Sequence, residues 1–395
     1  MPPLVPVDSI VSLLQALVRT PSRAGVDSMA PVVQVMQDWL AGRGLRVRRL
    51  EGADGSVLGL HAEVRGNLDG PWIVLDATLD TAGFGDERTW DLPPASGECR
   101  DGWLHGRGSA DSKAGAALFA HLLEDFARRG DAFAGRLGVL FDVDEHTGGF
   151  GGARAFFERG VDGEPAPRPD GVFIGYPGPE RIMTGGRGFL RARLVVHGVA
   201  AHSGATKRRG VNALSRAVAL VRALEAEPLP PADAGFGLPP QLTCTGLAAG
   251  DGGFGQVPDR AELRLDIRLT PAFDAARARA WVTEVVRRED LPCADAPETS
   301  IDWVPGWPAY RVPDAHPLVR ALREAAQAES GVELPTAVAG PSNIGNYLAG
   351  LGVDALCGYG VLGEGTHAAN ERIALDSLMP VYRVYRDALL RLQRR

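Results

Sequence analysis

The residues best suited to chemistry stand in Leu140-Phe141-Asp142-Val143-Asp144-Glu145-His146-Thr147-Gly148-Gly149, where an apolar run empties into acids, an imidazole and glycines. A carboxylate beside an imidazole can move a proton or hold a metal ion, and glycines let the backbone crowd a ligand. Leu137 to Phe141 reads as a buried strand. Glu145 and His146 would then sit at the carboxyl end of a strand in an open α/β sheet, where such sheets bind ligands. The same segment, taken alone, also suits a solvated loop.

Asp111 is a second candidate, placed by Gly106-Arg107-Gly108-Ser109-Ala110-Asp111 ahead of an apolar helix predicted over Ala114 to Phe126. Capping that helix is its plain structural alternative, although a cap would not need the glycines around it. Asp80 follows an apolar stretch, and His367 lies in a turn-rich segment, Gly363 to Glu371.

The elements that must position these residues can be read in order. Asp8 is placed to cap a helix carrying Ile10, Leu13, Leu14 and Leu17, and a second helix runs from Met29 to Leu40. Strands are expected at Leu45 to Leu50, Val57 to Val64 and Trp72 to Leu75, with Gly-Asn and Asp-Gly turns between the last two; the third leads into Asp80. Gly171 to Gly175 is a strand ending in Tyr176. From Gly188 a β-α-β-β-α-β order appears: Phe189 to Val196, Asn212 to Leu224, Pro240 to Leu247, Ala261 to Leu269, Ala275 to Arg287 and Thr299 to Val304. That order is one of a compact two-layer domain inserted into the first. The expected division is 1–186 and 306–395 for an α/β catalytic domain, and 187–305 for the insertion. After it come a helix from His316 to Ala328 opened by Asp314, a short helix following Gly340 to Asn346, a strand at Val353 to Cys357 and a closing helix from Ser377 to Leu392.

At 395 residues, two domains are the natural expectation. A net charge of -7 without a basic block argues against nucleic acid or an anionic membrane surface as partner, which leaves a small molecule. Cys99, Cys244, Cys293 and Cys357 are far apart and form no Cys-Xaa-Xaa-Cys pair, which fits a reducing cytoplasm. Met1 to Val7 lacks the features of a signal peptide, and no apolar run is long enough to span a membrane.

Seven ordered segments together resemble the M20 family of dinuclear zinc aminoacylases, carboxypeptidases and deacylases, over nearly the full chain. They are Leu79-Asp80-Thr81, Gly106 to Lys113, Asp144 to Gly149, Ala200 to Ser203, Gly210 to Ala213, Asp266-Ile267-Arg268 and His367 to Glu371. The resemblance implies a mixed, parallel-rich sheet flanked by helices, an inserted ferredoxin-like α+β lid, and a homodimer formed through that lid. It also implies an Asp bridging two zinc ions, with Asp111 in that slot, and a second ion completed by His146 and His367. Of the first ion's other two ligand slots, one holds Thr78 and the other Tyr176, whose hydroxyls are poor zinc ligands.

Asp111, His146 and His367 remain as a three-point site for one divalent metal, zinc first, with an open position for water. Glu145 is then the general base of an amide hydrolysis. Asp80 could move to the metal, and Asp76, Asp142 or Asp144 could substitute. The resemblance further implies that His202 hydrogen-bonds the substrate carbonyl in the other subunit's site. It casts Arg268 as anchor of a substrate carboxylate, and Ser342 and Asn343 as polar contacts. A sheet salt bridge to Asp266 or Glu262 is the alternative for Arg268, and a tight turn for His202. Lys113 and Arg107 are read as structural. Two rival readings stay open: a metal-free enzyme using Glu145 and His146 for acyl transfer, condensation or elimination, and a non-catalytic binding protein.

Overall fold

The computed structural model describes residues 5–130, 133–160, 168–207, 210–250 and 252–393. Met1 to Leu4 of the amino-terminal stretch considered above lie outside them.

Six strands form the sheet of the first unit, in the order Val47–Glu51, Val57–Arg65, Ala134–Asp142, Leu68–Thr78, Gly171–Ile174, Ala355–Leu356. Val57–Arg65 pairs antiparallel with both of its neighbours, and the remaining pairings are parallel. Three parallel strands lie side by side at its centre, and their carboxyl ends carry the loops holding Asp80, Glu145 with His146, and Tyr176. The central strands are buried almost throughout except for residues 68–72, as expected of a sheet covered on both faces. The helix Ala114–Arg129 presses on it so closely that a Cβ on Gly115 would strike the carbonyl oxygen of Gly175, so only glycine fits.

The second unit comprises Gly186–Arg311 with Gly340–Ser342, and the first holds the chain up to Gly185, Val312–Ala339 and the chain from Asn343. Its antiparallel sheet runs Gln241–Ala249, Arg260–Leu269, Gly188–His197, Ser300–Trp307. Alternate residues of Arg260–Leu269 are buried, and Leu263, Leu265 and Ile267 pack with Leu220 and Leu224 of one helix and Val282 and Val285 of another. One sheet face therefore carries the core and the other its charged pairs.

Several local expectations need correction. Asp8 caps nothing: Pro6 precedes the helix Val7–Val18, with Asp8 in its first turn. The helix Pro317–Ser330 is opened by His316, whose Nδ1 accepts the N–H of Leu318, while Asp314 takes the Thr336 hydroxyl. Asp69-Gly70 is no turn, because the strand already begins at Leu68 and Gly70 lies against Ala134 and Gly135. The strands Ile182–Gly186 and Thr336–Ala339 were not foreseen.

Candidate active site

Asp111 sits in a kinked turn, Ser109–Lys113, with extended backbone (φ -119°, ψ 94°), and makes no cap to the following helix. What holds the turn is Glu371, fully buried, which accepts the N–H groups of Ala110 (3.0 Å) and Asp111 (3.1 Å) and the Arg107 guanidinium at 2.6 Å. Lys113 donates to the carbonyls of Leu17 and Thr20. Arg107 and Lys113 thus have structural work.

His367 stands in a left-handed turn (φ 61°), its Nε2 3.1 Å from Asp111 Oδ2. His146 brings its Nε2 to 3.8 Å from the same oxygen. One ligand atom from each of the three lies within 4.8 Å of the others. Asp111 Oδ1 and both His146 ring nitrogens are buried without a directed hydrogen bond. Buried polar atoms of this kind are seldom left unsatisfied, and two imidazoles with a carboxylate are a zinc donor set. The residues present therefore fit one divalent ion.

They do not fit a second. The Thr78 hydroxyl donates to Asp80, and the Tyr176 hydroxyl donates to Glu145 Oε1 at 2.6 Å. Both hydroxyls in the slots of the first ion are spent on carboxylates. Nor do the neighbouring acids replace them as a group: Asp144 accepts from Thr147 and from Gly151 N–H, closing its own turn.

Asp80 is fully buried and accepts the N–H groups of Glu145 (3.2 Å) and His146 (3.1 Å), with Oδ2 3.3 Å from His146 Nδ1. It positions the loop and the imidazole rather than reaching the Asp111 group. Burial would lower the His146 pKa, but Asp80, Asp111 and Glu145 outweigh it and lift the ring to about 9. Burial, aided by Asp111 and Asp80 and opposed by His146 and Tyr176, raises Glu145 to about 7. Asp76 and Asp142 lie behind it, both fully buried with unpartnered carboxylate oxygens, and burial holds both carboxyls well above the usual range.

Of the remaining expected residues, Arg268, Ser342 and His202 belong to the second unit and Asn343 to the first. In the second unit, Arg268 pairs with Asp266 at 2.8 Å and reaches Ser342 Oγ at 3.3 Å, and Ser342 donates to the Arg187 carbonyl. Arg187, not singled out from the sequence, is close enough to Arg268 that burial and that neighbour together lower its pKa. The Arg187 guanidinium donates to the carbonyls of Gly340 and Pro239 and to Gln241 Oε1. His202 is exposed, and its Nδ1 accepts Gly204 N–H at 3.0 Å, which leaves Nε2 as the ring donor when neutral. Asn343 is buried as the N-cap of Ile344–Gly350, in a reciprocal capping box with Asn346, and its side-chain oxygen accepts at the helix start.

Comparison with known proteins agrees with this architecture. The chain is 28% identical over 391 residues to the succinyl-diaminopimelate desuccinylase of Bordetella petrii, covering 96% of this chain and 97% of the relative. It is 29% identical over 401 residues to the enzyme of that name from Methylorubrum extorquens, covering 96% and 98%. A Staphylococcus aureus tripeptidase shares the fold with a TM-score of 0.79 at 18% identity, over 100% of both chains. A dinuclear metal-binding peptidase of the M20 family from Bacillus subtilis does so with 0.70 at 17%, over 97% of each. No helix among the described residues is long and apolar enough to cross a membrane. Residues 74–391 match the profile of peptidase family M20/M25/M40, and the chain belongs to that family of amide-bond hydrolases.

Proposed function

We propose that the protein hydrolyses an amide bond in a small N-acyl amino acid or peptide-like molecule, with Glu145 as the general base and one strongly held divalent ion, zinc first. The observation that carries this reading is Glu145 itself. Its carboxyl, largely shielded from solvent just beyond a strand end, is fixed through Oε1 by the Tyr176 phenol and neighbours the Asp111, His146 and His367 group. A bound ion would polarise the scissile carbonyl and acidify a water. Tyr176 holds one Glu145 oxygen and leaves Oε2 to take the water's proton and return it to the leaving nitrogen. A carboxyl raised to about 7 is suited to both acts near neutral pH.

Arg268, with Arg187 beside it and Ser342 behind, is read as the anchor for a substrate carboxylate; Asn343 serves through the helix it opens. Two of the relatives are named for removing a succinyl group from diaminopimelate, so an acylated amino acid with more than one carboxylate is the first class to test. The same reading takes the protein as a cytoplasmic homodimer, with His202 polarising the substrate carbonyl in the partner's site.

A metal-free reading is favoured by one observation: His146 Nδ1 is also 3.5 Å from Glu145 Oε2, an acid-base pair in its own right. Elemental analysis of purified protein separates the two. About one equivalent of zinc with desuccinylase or peptidase turnover supports the hydrolase, and full turnover without metal overturns the metal assignment.

A further inference from the structure

Asp80, Asp111, Glu145 with His146, and His367 come from segments far apart in the chain, and a buried ion pair touches several of those segments at once. The strand Trp103–His105 pairs antiparallel with Arg372–Ala374, and just past their ends the Gly106 N–H donates to the Glu371 carbonyl. That pairing carries Arg107 and Glu371 to one place. Their side chains, 2% and 1% exposed, meet at 2.6 Å.

Each nitrogen of the guanidinium and each oxygen of the carboxylate is engaged. Glu371 Oε1 accepts the N–H groups of Ala110 and Asp111, and Oε2 accepts from Arg107 Nη1. Arg107 Nε donates to the Gly83 carbonyl at 3.1 Å, and Nη2 to that of Ala368 at 2.9 Å. The pair therefore ties the turn of Asp111 to the loop beyond Asp80 and to the residue after His367, whose left-handed φ of 61° is uncommon outside glycine. Asp80 extends the tie by accepting the N–H groups of Glu145 and His146.

A buried ion pair is a weak source of stability, because desolvating two charges offsets most of their attraction. It is a good source of directed bonds, since a planar guanidinium and a carboxylate fix the direction of each contact. We propose that Arg107 and Glu371 form one positioning unit, which presets the spacing of Asp111 and His367 for a metal ion, a role that rests on the reading of Asp111, His146 and His367 as its ligands. With the unit in place, His367 Nε2 stands 3.1 Å from Asp111 Oδ2. Both residues act through the backbone and leave the reacting atoms to others.

Zinc affinity of the purified full chain by chelator competition, measured beside melting temperature, tests this. Glu371→Gln and Arg107→Lys are each expected to bind zinc about tenfold or more weakly than wild type, at a temperature where circular dichroism shows them folded. Should Glu371→Gln not fold, Arg107→Lys, which keeps the charge, decides alone. The double variant should lose about as much as the worse single one, because members of one unit do not add. Arg386→Lys disturbs the buried pair with Asp125, which shares no hydrogen-bond partner with the unit, and should lower the melting temperature at unchanged zinc affinity. Variants of the unit that melt early yet bind zinc like wild type would reduce the pair to a stabilising role and overturn the proposal. Losses that add in the double variant, or an equal loss from Arg386→Lys, would overturn it too. Wild type that takes up no zinc would instead overturn the metal reading, and the positioning unit with it.

Discussion

Asp80 Oδ2 lies 3.3 Å from His146 Nδ1, although no directed hydrogen bond joins them. The M20 resemblance expects Asp80 to serve an imidazole at position 78, where this chain has a threonine. In the structure Asp80 faces the imidazole of His146, and Thr78 donates to Asp80. A carboxylate behind a metal-ligating histidine fixes the ring's orientation and raises its basicity. Asp80→Asn is therefore expected to weaken zinc binding by about 10- to 100-fold in chelator competition, with the circular dichroism spectrum unchanged. An unaltered affinity would detach Asp80 from the site.

Glu145→Gln keeps the carboxamide shape but removes the base. Turnover should fall by about 10²- to 10⁴-fold or more with the fold intact. Because the base works ionised, wild-type kcat/KM should rise with pH through about 7, and that limb should be missing from the residual activity of the variant. Wild-type-like turnover by the variant would remove the general-base assignment.

His367 contributes one of the two imidazoles of the candidate metal group. His367→Ala should purify with less bound metal than wild type, and an equal content by elemental analysis would argue that the group holds no ion.

Arg268 already has a partner in Asp266, so its truncation costs the sheet an ion pair as well as any substrate contact. Arg268→Ala should raise KM for a carboxylate-bearing substrate by about tenfold or more, while leaving KM for the corresponding amide nearly unchanged. Equal effects on both substrates would mark the residue as structural.

Asp76 and Asp142 make the fold sensitive to alkali. Their carboxyls are held well above the unfolded value, so the folded state keeps protons that the unfolded chain has released. Stability is thus full below the ordinary carboxylate range and falls as pH rises, by up to about 1.4 kcal/mol per pH unit for each group. Asp142→Asn should flatten the decline of melting temperature between pH 5 and pH 8. An identical slope would show that the group titrates normally.

The candidate catalytic segments were legible because an apolar strand run ends at Asp142 and acids follow, and Asp80 likewise follows the strand that ends at Thr78. The partners of those acids were not. That Tyr176 donates to Glu145 depends on which parallel strands are neighbours, a long-range fact that spacing along one strand does not contain, whereas the Thr78 bond to Asp80 is local and turns on side-chain direction past the strand end. Asp111 was open to reading as a cap since its distance along the chain from Ala114 allowed it; only the kinked backbone rules that out. Arg187 escaped notice because it falls at the expected domain boundary near Gly186, and the influence of Arg268 on it arises through pairing of the strands Gly188–His197 and Arg260–Leu269.

Glu371 arrives on the ribosome 260 residues after Asp111, whose turn it braces. Until the last stretch of the chain emerges, the candidate metal-binding carboxylate lacks its Glu371 brace, whereas every strand of the second unit has already been synthesised. Assembly of the candidate metal group is therefore tied to synthesis of the chain's last stretch: chains stalled before Gly363, which also lack His367, should take up no zinc.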